Sequence, residues 1–134
     1  MKITFIDSGV LVTAARGVGE ESEKALEILA DSNREFASSE FIKMEVLPKA
    51  IYNRKTAEAK FYESFFSAVT YWADDIEKVM QDGYNIGCQY GLAAMDGLHI
   101  AAALSIGAKE FLTTEKPTKP MFQVSGIQVI SIFN

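Results

Sequence analysis

Four acids in this chain stand where carboxylates are uncommon. Asp7 closes the apolar run Lys2-Ile3-Thr4-Phe5-Ile6 and is followed by Ser8-Gly9-Val10-Leu11. Glu45 comes three and four positions after Ile42 and Phe41, so on a helix the three share one face. Asp96 opens the small-residue apolar stretch Gly97-Leu98-His99-Ile100-Ala101-Ala102-Ala103, and Glu115 follows Phe111-Leu112-Thr113-Thr114. A carboxylate among apolar neighbours is costly unless it is paired or coordinates something. Taken singly, each acid has an ordinary explanation. Asp7 and Asp96 suit the starts of helices as caps or dipole acids, Glu45 suits an edge position reaching water, and Glu115 a solvated loop. Taken together on one sheet edge, they would repel one another and raise each other's pKa. A divalent cation offsets that repulsion, and such cations meet phosphate oxygens and activate water for phosphodiester displacement.

The elements that must position these acids alternate between strand and helix. Residues 2–7 read as a buried strand, with helix one over about 8–15 ending near Gly17 and Gly19. An amphipathic helix follows over 20–31, with Glu20, Glu21 and Glu23 suited to its positive end. A weak strand spans 34–37, and Ser38 or Ser39 caps a helix over about 40–51 that Pro48 should kink or shorten. Residues 54–68 are helical and 69–72 a short strand. Asp74 or Asp75 caps a helix over about 75–90 that ends at Gly91, with Gly83 and Gly87 marking close packing. A last helix over 95–106 ends at Gly107, and 110–113 and 127–132 are strands. The segment Lys116 to Met121, with Pro117 and Pro120, is the least structured. The pattern is α/β with a mostly parallel sheet, whose carboxyl edge is where ligands bind. No repeat or linker divides the chain, so residues 1–134 read as a single domain.

Composition narrows the functional classes. Nearly half the residues are hydrophobic (49%), which excludes a disordered chain. No apolar run approaches the ~20 residues of a membrane span, and Met1-Lys2 leads into the first strand without a signal-peptide layout. Cys88 is the single cysteine, so no internal disulfide forms. The expectation is a cytoplasmic protein without a membrane partner. A net charge of −5 argues against a protein that coats DNA nonspecifically. It leaves room for nucleic-acid chemistry in which metal, a local basic patch or a partner meets the phosphates.

Phe5-Ile6-Asp7-Ser8-Gly9-Val10-Leu11, Ser39 through Glu45-Val46-Leu47, Asp96-Gly97-Leu98-His99-Ile100-Ala101-Ala102-Ala103 and Phe111-Leu112-Thr113-Thr114-Glu115 resemble, in order and approximate spacing, the motifs of PIN domains. The group they most resemble is the VapC-like toxin nucleases. The resemblance implies a five-stranded parallel sheet flanked by helices and a Mg²⁺- or Mn²⁺-dependent endoribonuclease paired with a small antitoxin. By motif position it makes Asp7, Glu45 and Asp96 metal-binding acids and puts Glu115 where an aspartate is usual. Ser8 and Thr113 match the family's supporting hydroxyls. The segment after Glu115 lacks the further acid that many members carry.

Lys49, Arg54, Lys55 and Lys60, interleaved with Tyr52 and Phe61, form the main basic cluster; it suits RNA phosphates or simply a solvated helix face. Lys116 and Lys119 are nearer the acids in sequence. His99, the only histidine, is three residues past Asp96 and reads as a packed or hydrogen-bonded residue rather than a general base. Phe61, Tyr62, Phe65, Phe66, Tyr71 and Trp72 read as core or as the surface of a homodimer. Two other functions fit the same residues: a PIN-fold module without catalysis that binds RNA or protein, and a metal-dependent nuclease of DNA flaps.

Overall fold

The computed structural model describes residues 1–133. Five strands, β1 (Lys2–Ile6), β2 (Arg34–Ser38), β3 (Tyr71–Trp72), β4 (Glu110–Thr113) and β5 (Gln128–Ser131), form one sheet in the order β3-β2-β1-β4-β5. All pairings are parallel, with Phe5 opposite both Ala37 and Phe111. The helices are α1 (Ser8–Arg16), α2 (Glu20–Leu29), α3 (Glu40–Tyr52), α4 (Thr56–Ala68), α5 (Ile76–Tyr90) and α6 (Ala94–Ser105). Parallel strands covered on both faces read as continuous apolar runs rather than alternating ones. The central strands obey this: Thr4, Phe5 and Ile6 of β1 and all four residues of β4 are buried.

The expected α/β class and five-stranded parallel sheet are both observed. The chain builds outward from β1 in one direction through β2 and β3, then in the other through β4 and β5. The order therefore reverses between β1 and β4, the kind of switch point at which open α/β sheets open a crevice beyond their carboxyl ends.

Local signals set the element ends. Ser39 caps α3 by accepting from the Ile42 N–H, and Asp75 caps α5 by accepting from Lys78. Gly91 ends α5 at φ 72°, a left-handed turn that disfavours a side chain. Pro48 neither shortens nor ends α3, which continues to Tyr52. It lies on the exposed side, as does Met44, whose carbonyl it leaves without its helical partner. The close packing expected at Gly83 is present. A Cβ there would approach Leu98 Cδ2 at 3.2 Å, and one on Gly97 would approach the Gly83 carbonyl at 3.1 Å. Gly87 has ordinary room. Of the segment Lys116 to Met121, expected to be the least structured, the last two residues enter a turn of 3-10 helix (Pro120–Gln123) that buries Met121. The aromatic stretch enters the core: Tyr62, Phe65 and Phe66 are buried, and Phe66 packs against Trp72.

At the opposite, amino-terminal edge of the sheet Glu110 is buried, 2% exposed, yet fully engaged. It accepts from Thr4 Oγ1 and Arg34 Nε, each at 2.7 Å, and lies 3.8 Å from Lys2 Nζ. Burial alone would push its pKa up; the hydrogen bonds from Arg34 and Thr4 and the charges of Arg34 and Lys2 outweigh it and hold the carboxyl low.

Candidate metal centre

Asp7 is the residue where β1 ends, and its carboxylate caps α1 by accepting from the Ser8 N–H at 2.8 Å. Its other oxygen accepts from Thr113 Oγ1, at the end of β4, at 2.7 Å. The same threonine hydroxyl accepts from the Glu115 N–H at 3.1 Å. The backbone joins these strand ends too, since the Asp7 N–H donates to the Leu112 carbonyl at 2.9 Å. Asp7 thus stands at the switch point, buried and held by one donor on each oxygen. The approach of α1 to the loop after β4 is close. A Cβ on Gly9 would fall 2.2 Å from Thr114 Oγ1, so glycine is what lets the two meet.

Glu45 comes to Asp7 from α3. Its neighbours Ile42 and Val46 are buried, while its own side chain is one-third exposed, placing it on the rim of the helix's apolar face. His99 comes from α6, where it is 2% exposed. Its Nε2 lies 2.5 Å from Glu45 Oε1, and its Nδ1 has no hydrogen-bond partner among the described residues. One ligand atom each from Asp7, Glu45 and His99 lie within 4.8 Å of one another. Donors around a single cation at roughly 2.1 Å sit about 3–4 Å apart, so small side-chain shifts would let the three share one.

Asp96 and Glu115 flank this trio rather than join it. Asp96 is in the first turn of α6, half-buried, and is not the cap, a place taken by Ala93. It feels the charges of Lys119, Glu115, His99 and Glu45. Glu115 lies 3.6 Å from Lys119 Nζ, so this lysine faces two of the acids. The electrostatics of the acids differ. Burial raises the Asp7 carboxyl, only partly countered by the Thr113 hydroxyl, the His99 charge and the Ser8 amide. Burial likewise raises Asp96. Glu45 is lowered, chiefly by its hydrogen bond with His99. Two carboxylates are therefore held at a cost that protein groups do not fully offset, which is where a bound cation acts most strongly.

The structure brings together the sequence candidates Asp7 and Glu45, sets Asp96 and Glu115 beside them, and places Ser8 and Thr113 as supports. Ser8 also contributes a side-chain hydrogen bond that lowers Glu45. Of the basic residues, Lys119 is at the site. Lys49 lies one turn beyond Glu45 on α3, and Arg54 and Lys55 form the exposed turn into α4. Lys116 is exposed in the loop after Glu115. His99 is the member that sequence reading underrated. Its helical proximity to Asp96 was visible, but its approach to Glu45 joins residues 54 positions apart and leaves no local signal.

No protein-family model and no curated protein sequence matches the chain. Solved structures do match. A chain of the VapBC2 complex from Rickettsia felis, bound to a DNA fragment from their promoter, superposes with a TM-score of 0.72 at 15% identity, covering 96% of this chain and 98% of that one. A toxin–antitoxin complex from Klebsiella pneumoniae gives a TM-score of 0.73 at 18% identity, covering 96% and 97%. DNA-bound VapBC from Salmonella typhimurium gives 0.68 at 15% identity, covering 98% and 99%. With matching extents and a five-stranded parallel sheet whose central strand ends in a buried aspartate, the chain has the PIN-like fold of these toxin–antitoxin structures.

Proposed function

We propose that this protein is a metal-dependent endoribonuclease, the toxin of a toxin–antitoxin pair. The observation that carries the reading is the convergence, at the switch point of the sheet, of the buried Asp7 carboxylate with Glu45 and, beside them, Asp96 and Glu115. The similarity to chains of toxin–antitoxin complexes supports the pairing with an antitoxin.

The donor set fits a divalent cation, Mg²⁺ or Mn²⁺. Asp7 has one donor on each oxygen and retains lone pairs for a ligand, and both Asp7 and Asp96 carry charge that burial penalises. When bound, the cation supplies a water acidic enough to attack phosphorus and a counter-charge for the phosphate oxygens. The chain does the rest. Asp7 and Glu45 would hold the cation, with Asp96 supporting it from beside them. Ser8 and Thr113 fix the Asp7 carboxylate, and Glu115 orients water at the rim. Lys119 faces Asp96 and Glu115, where it can meet a phosphate; Lys49, Arg54, Lys55 and Lys116 are exposed along the path of a strand leaving the site.

The aromatic run is spent in the core, so contacts with an antitoxin or a second copy fall to the exposed apolar residues Met44, Ile51 and Tyr52 of α3 and Met80 and Tyr84 of α5. Sedimentation at tens of micromolar tests the homodimer.

The deciding experiment is cleavage of a mixed-sequence RNA with Mn²⁺, with Mg²⁺ and with EDTA, beside Asp7→Asn and Asp96→Asn. Metal-dependent cleavage lost in both variants is expected. Full activity in both variants refutes the assignment, and cleavage of flap DNA but not RNA would redirect it. A folded wild type that binds no metal and cuts nothing would make the protein a binding module.

A further inference from the structure

We infer that His99 is itself a ligand of the bound cation, through Nε2, so that the centre is a mixed imidazole–carboxylate site selective for a divalent first-row transition ion over Mg²⁺. The inference rests on the metal-dependent reading above and specifies its cation.

Three observations carry it. The tight group of potential ligand atoms is Asp7, Glu45 and His99; the acids Asp96 and Glu115 lie outside it. The ring is almost wholly buried on α6, and Nε2 is aimed at the carboxylates. Beyond Glu45 it has no hydrogen-bond partner among the described residues, since Nδ1 is unpaired. Nothing outside the centre engages the ring, so its only polar task lies within it.

The chemistry is consistent in protons. Without metal, a proton on Nε2 joins the ring to Glu45 Oε1. A ring that lends its Nε2 lone pair to the cation keeps its proton on Nδ1. Imidazole nitrogen is a good donor to Zn²⁺, Fe²⁺, Co²⁺ and Mn²⁺, whereas Mg²⁺ demands oxygen and keeps its waters. A single buried nitrogen among carboxylates therefore shifts selectivity toward the transition ions.

The chain contains one histidine, which makes the test direct. Mn²⁺ is added to the whole protein and its pulsed electron paramagnetic resonance spectrum is recorded with natural-abundance and with ¹⁵N-labelled histidine. Coupling to nitrogen is expected, changing from the ¹⁴N to the ¹⁵N pattern on labelling. In His99→Gln, which keeps an N–H donor for Glu45 but offers no imidazole, the coupling should vanish. Mn²⁺ affinity should fall at least about tenfold while Mg²⁺ affinity stays within about threefold. Mn²⁺ bound in an Asp7-dependent manner without histidine coupling overturns the inference and leaves the nuclease reading standing. No Mn²⁺ bound by the wild type overturns both. If His99→Gln fails to fold, the labelled wild-type spectrum decides alone.

Discussion

Replacing Thr113 by valine removes one hydroxyl and keeps the shape. That hydroxyl is fully buried, donates to Asp7 Oδ2 at 2.7 Å and accepts from the Glu115 N–H at 3.1 Å. A hydrogen bond to a charged group is worth about 1.5–3 kcal/mol. Glu115 is a partly exposed loop residue, so its amide is taken to recover a bond from water. The net loss should therefore be about 2 kcal/mol near pH 7 in EDTA, which at a urea slope of ~2 kcal/mol/M lowers the unfolding midpoint by about 1 M. The sign of the pH dependence follows from Asp7. Its folded pKa is raised above the ordinary 3.8, first by burial, with Thr113 pulling the other way. For such a group the folded state is penalised once the carboxyl must ionise. Wild-type stability from Asp7 is highest below 3.8 and declines as pH rises through the folded value. Losing Thr113 raises that folded value further and deepens the penalty at neutral pH. Below both values only a neutral hydrogen bond is lost, about 1 kcal/mol. Urea unfolding of both proteins at about pH 7 and about pH 3 reads this directly. The reasoning fails if the deficit is absent at neutral pH, or if it grows on acidification.

Arg34→Leu should destabilise by about 3 kcal/mol, because it strips the main counter-charge from a buried carboxylate at Glu110. Glu110 has a lowered pKa, so the wild-type contribution is present above 4.5 and lost as pH falls through the folded value; thermal unfolding against pH should show the variant's deficit shrinking in acid. The same change lies at the far edge of the sheet, so the RNA cleavage of the remaining folded protein should be unaltered. Gly97→Ala places a methyl 3.1 Å from the Gly83 carbonyl, a backbone atom that cannot swing aside. A loss of about 1–3 kcal/mol is expected from overpacking. Because the residue adjoins Asp96, calorimetry with Mn²⁺ should also register weaker binding.

What the sequence disclosed was whatever a short window contains. Asp7 was readable because the strand before it and the helix after it are both local patterns. Glu45 and Asp96 were readable because helical spacing shows which side chains share a face. Pro48 suggests a shortened helix because a window reveals the missing N–H but not that Met44 and Pro48 lie on the exposed side. The segment Lys116 to Met121 reads as loose because of Pro117 and Pro120. The signal that its end folds was there: a proline at the first helical position followed by Met121, which the fold buries. The pairings that complete the architecture were out of reach for a different reason. Glu45 with His99, Arg34 with Glu110 and Asp7 with Thr113 are separated by 54, 76 and 106 positions, and only the sheet order brings them together.

That last separation has a consequence for the cell that makes this protein. β1 leaves the ribosome before its neighbour β4, which emerges more than a hundred residues later. At ~5–20 residues per second, several seconds of translation pass with Asp7 exposed on a chain that cannot yet place Thr113 against it. The nascent polypeptide thus lacks an assembled centre. Any chemistry at this centre must therefore wait until β4 has been made and has paired with β1.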